Sequence, residues 1–207
     1  MGVAETAPGR REKRRQETRN RIEEAAYRLF RRQGVEATSI EQICSEADVA
    51  RRTFYGYYAN KHALLGGLGI SRLYSQAEPM LVELMSSYPD TYSRLKAMID
   101  YIEARFATFD EVDRQLILLA PSVLAGDAEQ QRDIADHALN AFASLFATGQ
   151  ANGDIPRTFS PEILAAMVVG TLNTLATHWA IDSSYPVIDK LEEARELFAT
   201  AAGCSRD

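Results

Sequence analysis

Residues 38–61 read TSIEQICSEADVARRTFYGYYANK, and this stretch decides the fold. Ile40, Ile43, Cys44 and Ala47 recur at i, i+3, i+4 and i+7, the spacing of a helix with one buried face. Thr38 followed three residues later by Glu41 has the form of a capping box and marks the start of that helix. Asp48 and Val49 interrupt the stripe, and Ala50-Arg51-Arg52-Thr53-Phe54-Tyr55-Gly56-Tyr57-Tyr58 resumes it as a second, shorter helix. Val49, Phe54 and Tyr58 can face inward, which turns Arg51, Arg52, Thr53, Tyr55 and Tyr57 outward. Two arginines near a helix N-terminus, with tyrosine hydroxyls beside them, suit a DNA major groove. Arginine can bond guanine edges in pairs, while Thr, Tyr and backbone amides hold the phosphates.

Working outward, residues 17–33 carry Ile22, Ala25, Ala26, Leu29 and Phe30 on one stripe and stop at Gly34, a suitable residue for the C′ position. This helix supports the two that follow. Cys44 lies on a buried stripe and is expected to pack rather than react. On the other side Asn60 is a good N-cap for a further helix. Lys61 in its first turn, together with free amides, would make a phosphate clamp. Residues 1–61 hold 13 Lys+Arg against 9 Asp+Glu, a net of +4. Residues 62–207 hold 10 against 20, a net of −10, so the overall −6 conceals a basic head on an acidic body.

Residues 18–65 resemble the DNA-binding region of the TetR (tetracycline-repressor-like) family of bacterial transcriptional regulators. The likeness rests on Ile22, Ala25, Ala26, Leu29, Phe30 and Gly34, then on Thr38, Ile40, Ile43 and Ala47. It continues through Val49, Arg51, Thr53, Phe54-Tyr55, Tyr57-Tyr58, Lys61 and Leu64-Leu65. Two positions depart from the family pattern. Asp48 stands where a turn glycine is usual, and Ala50 where a helix-capping Ser is common. The resemblance implies an all-α chain with a helix-turn-helix domain and a C-terminal bundle for ligand binding and dimerisation. It implies DNA contacts from Thr38, Arg51, Arg52, Thr53, Tyr55, Tyr57 and Lys61. It also implies that the two final long helices pair with those of a second subunit.

The domain boundaries expected are a basic, disordered arm over 1–16, the DNA-binding domain over 17–62, and the ligand-binding and dimerisation domain over 63–207. For Arg10, Arg11, Lys13, Arg14 and Arg15, a solvated tail competes with an arm laid along phosphates. Gly66, Gly67 and Gly69 interrupt a helical run from Leu64 to Tyr74 and permit either close helix packing or a hinge. Beyond Pro79 and Pro89, helices are expected near 91–109, 111–124, 128–151, 161–181 and 187–202, separated by Gly- and Pro-bearing joints. Residues 161–181 are apolar nearly all round and need cover on more than one side. In the last helix Leu191, Leu197 and Phe198 are the candidate dimer contacts.

Arg105, Asn173 and His178 are polar groups set among apolar neighbours, and Phe106, Phe109, Phe142, Phe146, Met167 and Trp179 could line a cavity with them. The alternative for every one of these is plain core. Asp133 with His137, and His178 with Asp182, have i, i+4 spacing, but three histidines without a tighter cluster point to no metal and no cofactor. No phosphate-binding Gly loop, nucleophile elbow or zinc motif supports catalysis, so an all-α enzyme is the least supported class. With two distant cysteines and no signal-like opening, a cytoplasmic chain without a membrane partner is expected. The expected function is a homodimeric repressor released from a palindromic double-stranded DNA operator by a small-molecule effector. A regulator or activator governed by a protein partner, or independent of any effector, is the competing reading.

Overall fold

The computed structural model describes residues 10–124 and 129–204, less the side chains of 12, 72, 73 and 120–135. Among the described residues the regular structure is helical throughout. The chain divides into two compact units, Met1–Leu68 and Gly69–Asp207. The first holds α1 (Arg10–Gln33), α2 (Ile40–Glu46) and α3 (Arg51–Tyr55). The division falls inside α4 (Lys61–Tyr74). The second unit continues with α5 (Ala77–Ser87), α6 (Thr91–Phe106), α7 (Glu111–Leu124), α8 (Glu129–Asn152), α9 (Pro161–Ile181) and α10 (Val187–Ala202).

In the first unit Ile22, Ala25, Ala26, Leu29 and Phe30 of α1 are buried with Ile43 and Cys44 of α2 and Phe54 of α3. Helix α1 begins earlier than the sequence suggests. Residues 10–16, assigned to a disordered arm, form its first turns, because Arg, Glu, Lys and Gln are all good helix formers. The Thr18 hydroxyl returns to the Arg14 carbonyl at 3.0 Å, and the Gln16 amide reaches Asn20 at 2.8 Å. Residues 1–9 lie outside the described residues.

In the second unit α8 packs along α9, with α5 against α8, α7 against α9, and α10 against both α6 and α9. Leu95, Met98, Ile99, Phe142, Leu145, Phe146, Leu164, Val168, Leu191 and Phe198 form the shared core. Local signals set the ends. Asp90 caps α6 by accepting from the Ser93 amide at 2.8 Å, and Asp154 accepts from the Thr91 amide at 2.5 Å. Ser160 caps α9, with Pro161 in its first turn. Helix α10 ends on Gly203 at φ 71°, where a Cβ would meet the Pro156 ring at 2.6 Å. Helix α5 was not expected, since Pro79 reads as a break. It sits in the first turn of α5, where a missing N–H loses no intrahelical bond.

Candidate nucleic-acid interface and ligand cavity

Helix α2 is capped by Ser39 rather than Thr38. The Ser39 hydroxyl accepts from the Gln42 amide at 3.2 Å, and the Gln42 side chain accepts from the Ser39 amide at 2.8 Å. The box therefore stands one residue later than Thr38 and Glu41 suggest. Thr38 is buried, and its hydroxyl donates to the Gly34 carbonyl at 2.8 Å. It is spent inside the fold and is removed from the set of DNA-contacting side chains. The turn after α2 is a Schellman motif, with Val49 N–H donating to Cys44 C=O at 3.0 Å. Asp48 occupies its left-handed position at φ 52°.

Helix α3 starts at Arg51 after Ala50, which supplies no side-chain cap. Phe54 and Tyr58 are buried, Arg51, Arg52 and Tyr55 are exposed, and Thr53 and Tyr57 are half-buried. Arg51 lies between two neighbours. Its guanidinium meets the Glu41 carboxylate of α2 at 2.8 Å, and its pKa is raised by a hydrogen bond to Tyr55 and by Glu41. Glu41 is held low in turn, first by its own backbone amide and then by Arg51. The burial of Cys44 pushes its thiol up, which suits a packing role.

Lys61 departs from the phosphate-clamp expectation. Its Nζ donates to the carbonyls of Val35 at 2.7 Å and Thr38 at 3.0 Å, so it ties the start of α4 to the turn after α1. The long side chain reaches back to unsatisfied carbonyls instead of outward. Asn60 does cap α4, accepting from the Ala63 amide at 2.8 Å.

A cluster that sequence reasoning missed holds this head together. Arg19, Glu23 and Tyr58 are all buried. Arg19 Nε donates to Glu23 Oε1 at 2.7 Å, and the Tyr58 hydroxyl donates to the same oxygen. Burial opposes the charge on Arg19, yet Tyr58 and Glu23 outweigh it and hold the guanidinium ionised. Burial, followed by Glu23, pushes the Tyr58 hydroxyl well up. The i, i+4 spacing of Arg19 and Glu23 was the available signal, but it looks the same on a solvated helix face.

Two substitutions follow from the turn. Asp48→Gly relieves a left-handed non-glycine residue, and Ala50→Ser restores a helix cap. Each is expected to raise stability, by about 0.5–1 kcal/mol. Urea unfolding of the two single variants and the double variant checks this, and a midpoint unchanged or lowered in all three would contradict it.

The second unit contains a cavity of about 650 Å³ that opens to solvent. Five of the candidate residues line it: Arg105, Phe106, Phe109, Phe142 and Asn173. Tyr74, Met80, Tyr101, Val169 and Leu172 add further wall. Asn173 hydrogen-bonds the Tyr74 hydroxyl, whose pKa is nevertheless raised by burial. The other four candidates lie elsewhere. Phe146 is fully buried in the shared core, and Met167 packs against that core. His178 stacks on Tyr185 with ring centroids 5.4 Å apart. Trp179 stands behind the wall, 5.2 Å from Phe106 and 5.9 Å from Phe109 between ring centroids. Asp182 accepts from the Ser184 amide and hydroxyl, which leaves it no metal-sharing geometry with His178. The side chain of Asp133 lies outside the described residues.

The expected dimer contacts also need correction. Leu191 and Phe198 are wholly buried in the core of their own unit, while Leu197 is 50 % exposed. The outward stripe of α9 is Ile163, Ala166, Gly170, Thr174, His178 and Ile181, spaced by three or four residues. A Cβ on Gly170 would meet nothing within 4 Å. By length and composition alone α9 could cross a membrane, and only 33 % of its apolar window is buried within the chain.

Residues 22–68 match the family model described as bacterial regulatory proteins, tetR family. The chain belongs to the TetR family. It is accordingly a DNA-binding transcriptional regulator and not an enzyme. A relative named for the regulation of mycofactocin biosynthesis, MftR of Mycobacterium tuberculosis, is 25 % identical over 201 residues, covering 94 % of each chain. An HTH-type transcriptional regulator of Staphylococcus aureus is 30 % identical over 86 residues, 42 % of this chain and 46 % of that one. Among solved structures, Thermus thermophilus FadR, a TetR-family repressor in complex with lauroyl-CoA, aligns with a TM-score of 0.65 at 23 % identity. That alignment covers 91 % of this chain and 96 % of the other. FadR of Bacillus subtilis, in complex with stearoyl-CoA, aligns with a TM-score of 0.60 at 21 % identity over 86 % and 96 % of the two chains. Family membership thus joins the helix-turn-helix of the first unit to an all-helical second unit of the same fold.

Proposed function

We propose that the protein is a homodimeric cytoplasmic repressor that binds a palindromic operator and is released from it by a small molecule. The cavity of the second unit carries this reading. At about 650 Å³, with apolar walls and a few placed polar groups, it has the size and character of a small-molecule site. The acyl-CoA complexes of two structural relatives, both FadR proteins, fit an effector with a sizeable apolar part. Helix α3 supplies the DNA contacts through Arg51, Arg52 and Tyr55, with Thr53 and Tyr57 at its edges. Two such helices must reach major-groove half-sites about 34 Å apart, and a ligand that favours a different separation lowers operator affinity. Gly66, Gly67 and Gly69 are buried in α4, which favours close packing over a hinge.

Dimerisation accounts for the outward apolar stripe of α9 and for exposed Leu197 on α10. Gly170→Glu separates this role from folding. The side chain enters open space in a single chain but wedges apart a pair of α9 helices. The variant is expected to melt no lower than the parent while sedimenting as a monomer and losing most operator affinity. Phe198→Glu, by contrast, should unfold the second unit. A Gly170→Glu protein that remains dimeric would overturn the assignment of this face.

A further inference from the structure

The charge of the cavity wall narrows what can occupy it. Of the fourteen residues that line it, Arg105 alone carries a charge, and no carboxylate is among them. This is unexpected in a body with twice as many acidic as basic residues, 20 against 10 over residues 62–207. The Arg105 guanidinium lies 5.5 Å from the centroid of the Phe109 ring, so it sits on the wall itself and not on a distant stem. Its neighbours on the lining are Phe106 and Ile102, and across the space stand Phe142 and Leu172. The other polar groups on the wall are neutral: Asn173 with the Tyr74 hydroxyl, then Gln76 and Tyr101, both exposed.

A cationic ligand would place its charge beside Arg105 with no carboxylate to meet it. A wholly apolar ligand would strip water from the guanidinium and return nothing. An anion does neither, because a guanidinium and a carboxylate or phosphate form strong, charge-assisted hydrogen bonds. Resting on the effector reading above, we propose that the cavity takes an anionic amphiphile. Its apolar body lies among Phe106, Phe142 and Leu172, and its single anionic group lies at Arg105.

Trp179 makes the test direct. It is the chain's one tryptophan and touches Phe106 and Phe109, so its fluorescence reports filling of the cavity without any DNA present. Full-length protein is titrated below micelle-forming concentrations with laurate, dodecyl phosphate, dodecan-1-ol and dodecyltrimethylammonium. Laurate or dodecyl phosphate, whichever head fits, is expected to bind about tenfold or more tighter than the alcohol, with the ammonium weakest. Arg105→Gln should remove that advantage and leave alcohol binding within about twofold, while Arg105→Lys should restore part of it. Retained alcohol binding shows that the Gln variant is folded. Equal binding of all four probes, an equal loss of all four in Arg105→Gln, or no response to either anion would overturn the proposal. Anion binding that leaves operator affinity untouched would uphold the ligand class and overturn the effector reading instead.

Discussion

Glu23→Ala is expected to destabilise the first unit by about 3–5 kcal/mol, the usual consequence of removing one partner from a buried ion pair. Glu23 Oε1 receives both the Arg19 guanidinium and the Tyr58 hydroxyl. Without the carboxylate, Arg19 keeps a buried charge with no counter-charge from Glu23, and the Tyr58 hydroxyl loses its acceptor. Tyr58→Phe removes only one hydrogen bond to a charged group and should cost less, about 1.5–3 kcal/mol. The two variants therefore rank the charge above the hydroxyl. Thermal and urea unfolding followed by circular dichroism measure both. Operator binding should fall with the folded fraction of the head, because Tyr58 follows α3 directly and anchors it to α1. A Glu23→Ala midpoint equal to that of the parent would show that the cluster contributes nothing.

This cluster also illustrates where the sequence stops being legible. The helices of the second unit could be placed within a few residues because their ends depend on local chemistry, as with Asp90, Ser160-Pro161 and Gly203. The inward positions of Phe54 and Tyr58 followed from helical period. What failed depended on partners distant in the chain. Arg19 and Glu23 look solvated until Tyr58, 35 residues beyond Glu23, covers them. Thr38-x-x-Glu41 and Ser39-x-x-Gln42 are both plausible boxes, and only the burial of Thr38 against Gly34 decides between them. Lys61 reads as outward until the carbonyls of Val35 and Thr38 draw it in. In α10, one apolar stripe cannot say which residues its own core takes. Leu191 and Phe198 went to that core and left Leu197 outside. Phe146 was lost to the cavity in the same way.

The second large effect is expected at α3. Arg51→Ala and Arg52→Ala should each weaken operator binding, by about 1–3 kcal/mol where the arginine bonds a guanine edge in bidentate fashion. The Arg51 loss should be the smaller of what its contact would give, because the parent must first exchange the 2.8 Å pair with Glu41 for the base. That pair is exposed on both sides, so it contributes little to stability and the variants should fold as the parent does. Both changes act on discrimination more than on general adhesion to DNA. Phosphate contacts elsewhere set the salt dependence, while base contacts set the sequence preference.

The most direct test of the account is a titration of one duplex pair. A palindromic site selected from fragments of the source genome is compared with a scrambled duplex of the same composition, using the parent and the Arg51→Ala, Arg52→Ala double variant. Two chains are expected per palindrome for the parent. The double variant should lose most of the preference for the palindrome while still binding the scrambled duplex at low salt. If the double variant kept the parent's preference for the palindrome, α3 would not be the reading element, and the assignment of the interface to Arg51 and Arg52 would be wrong.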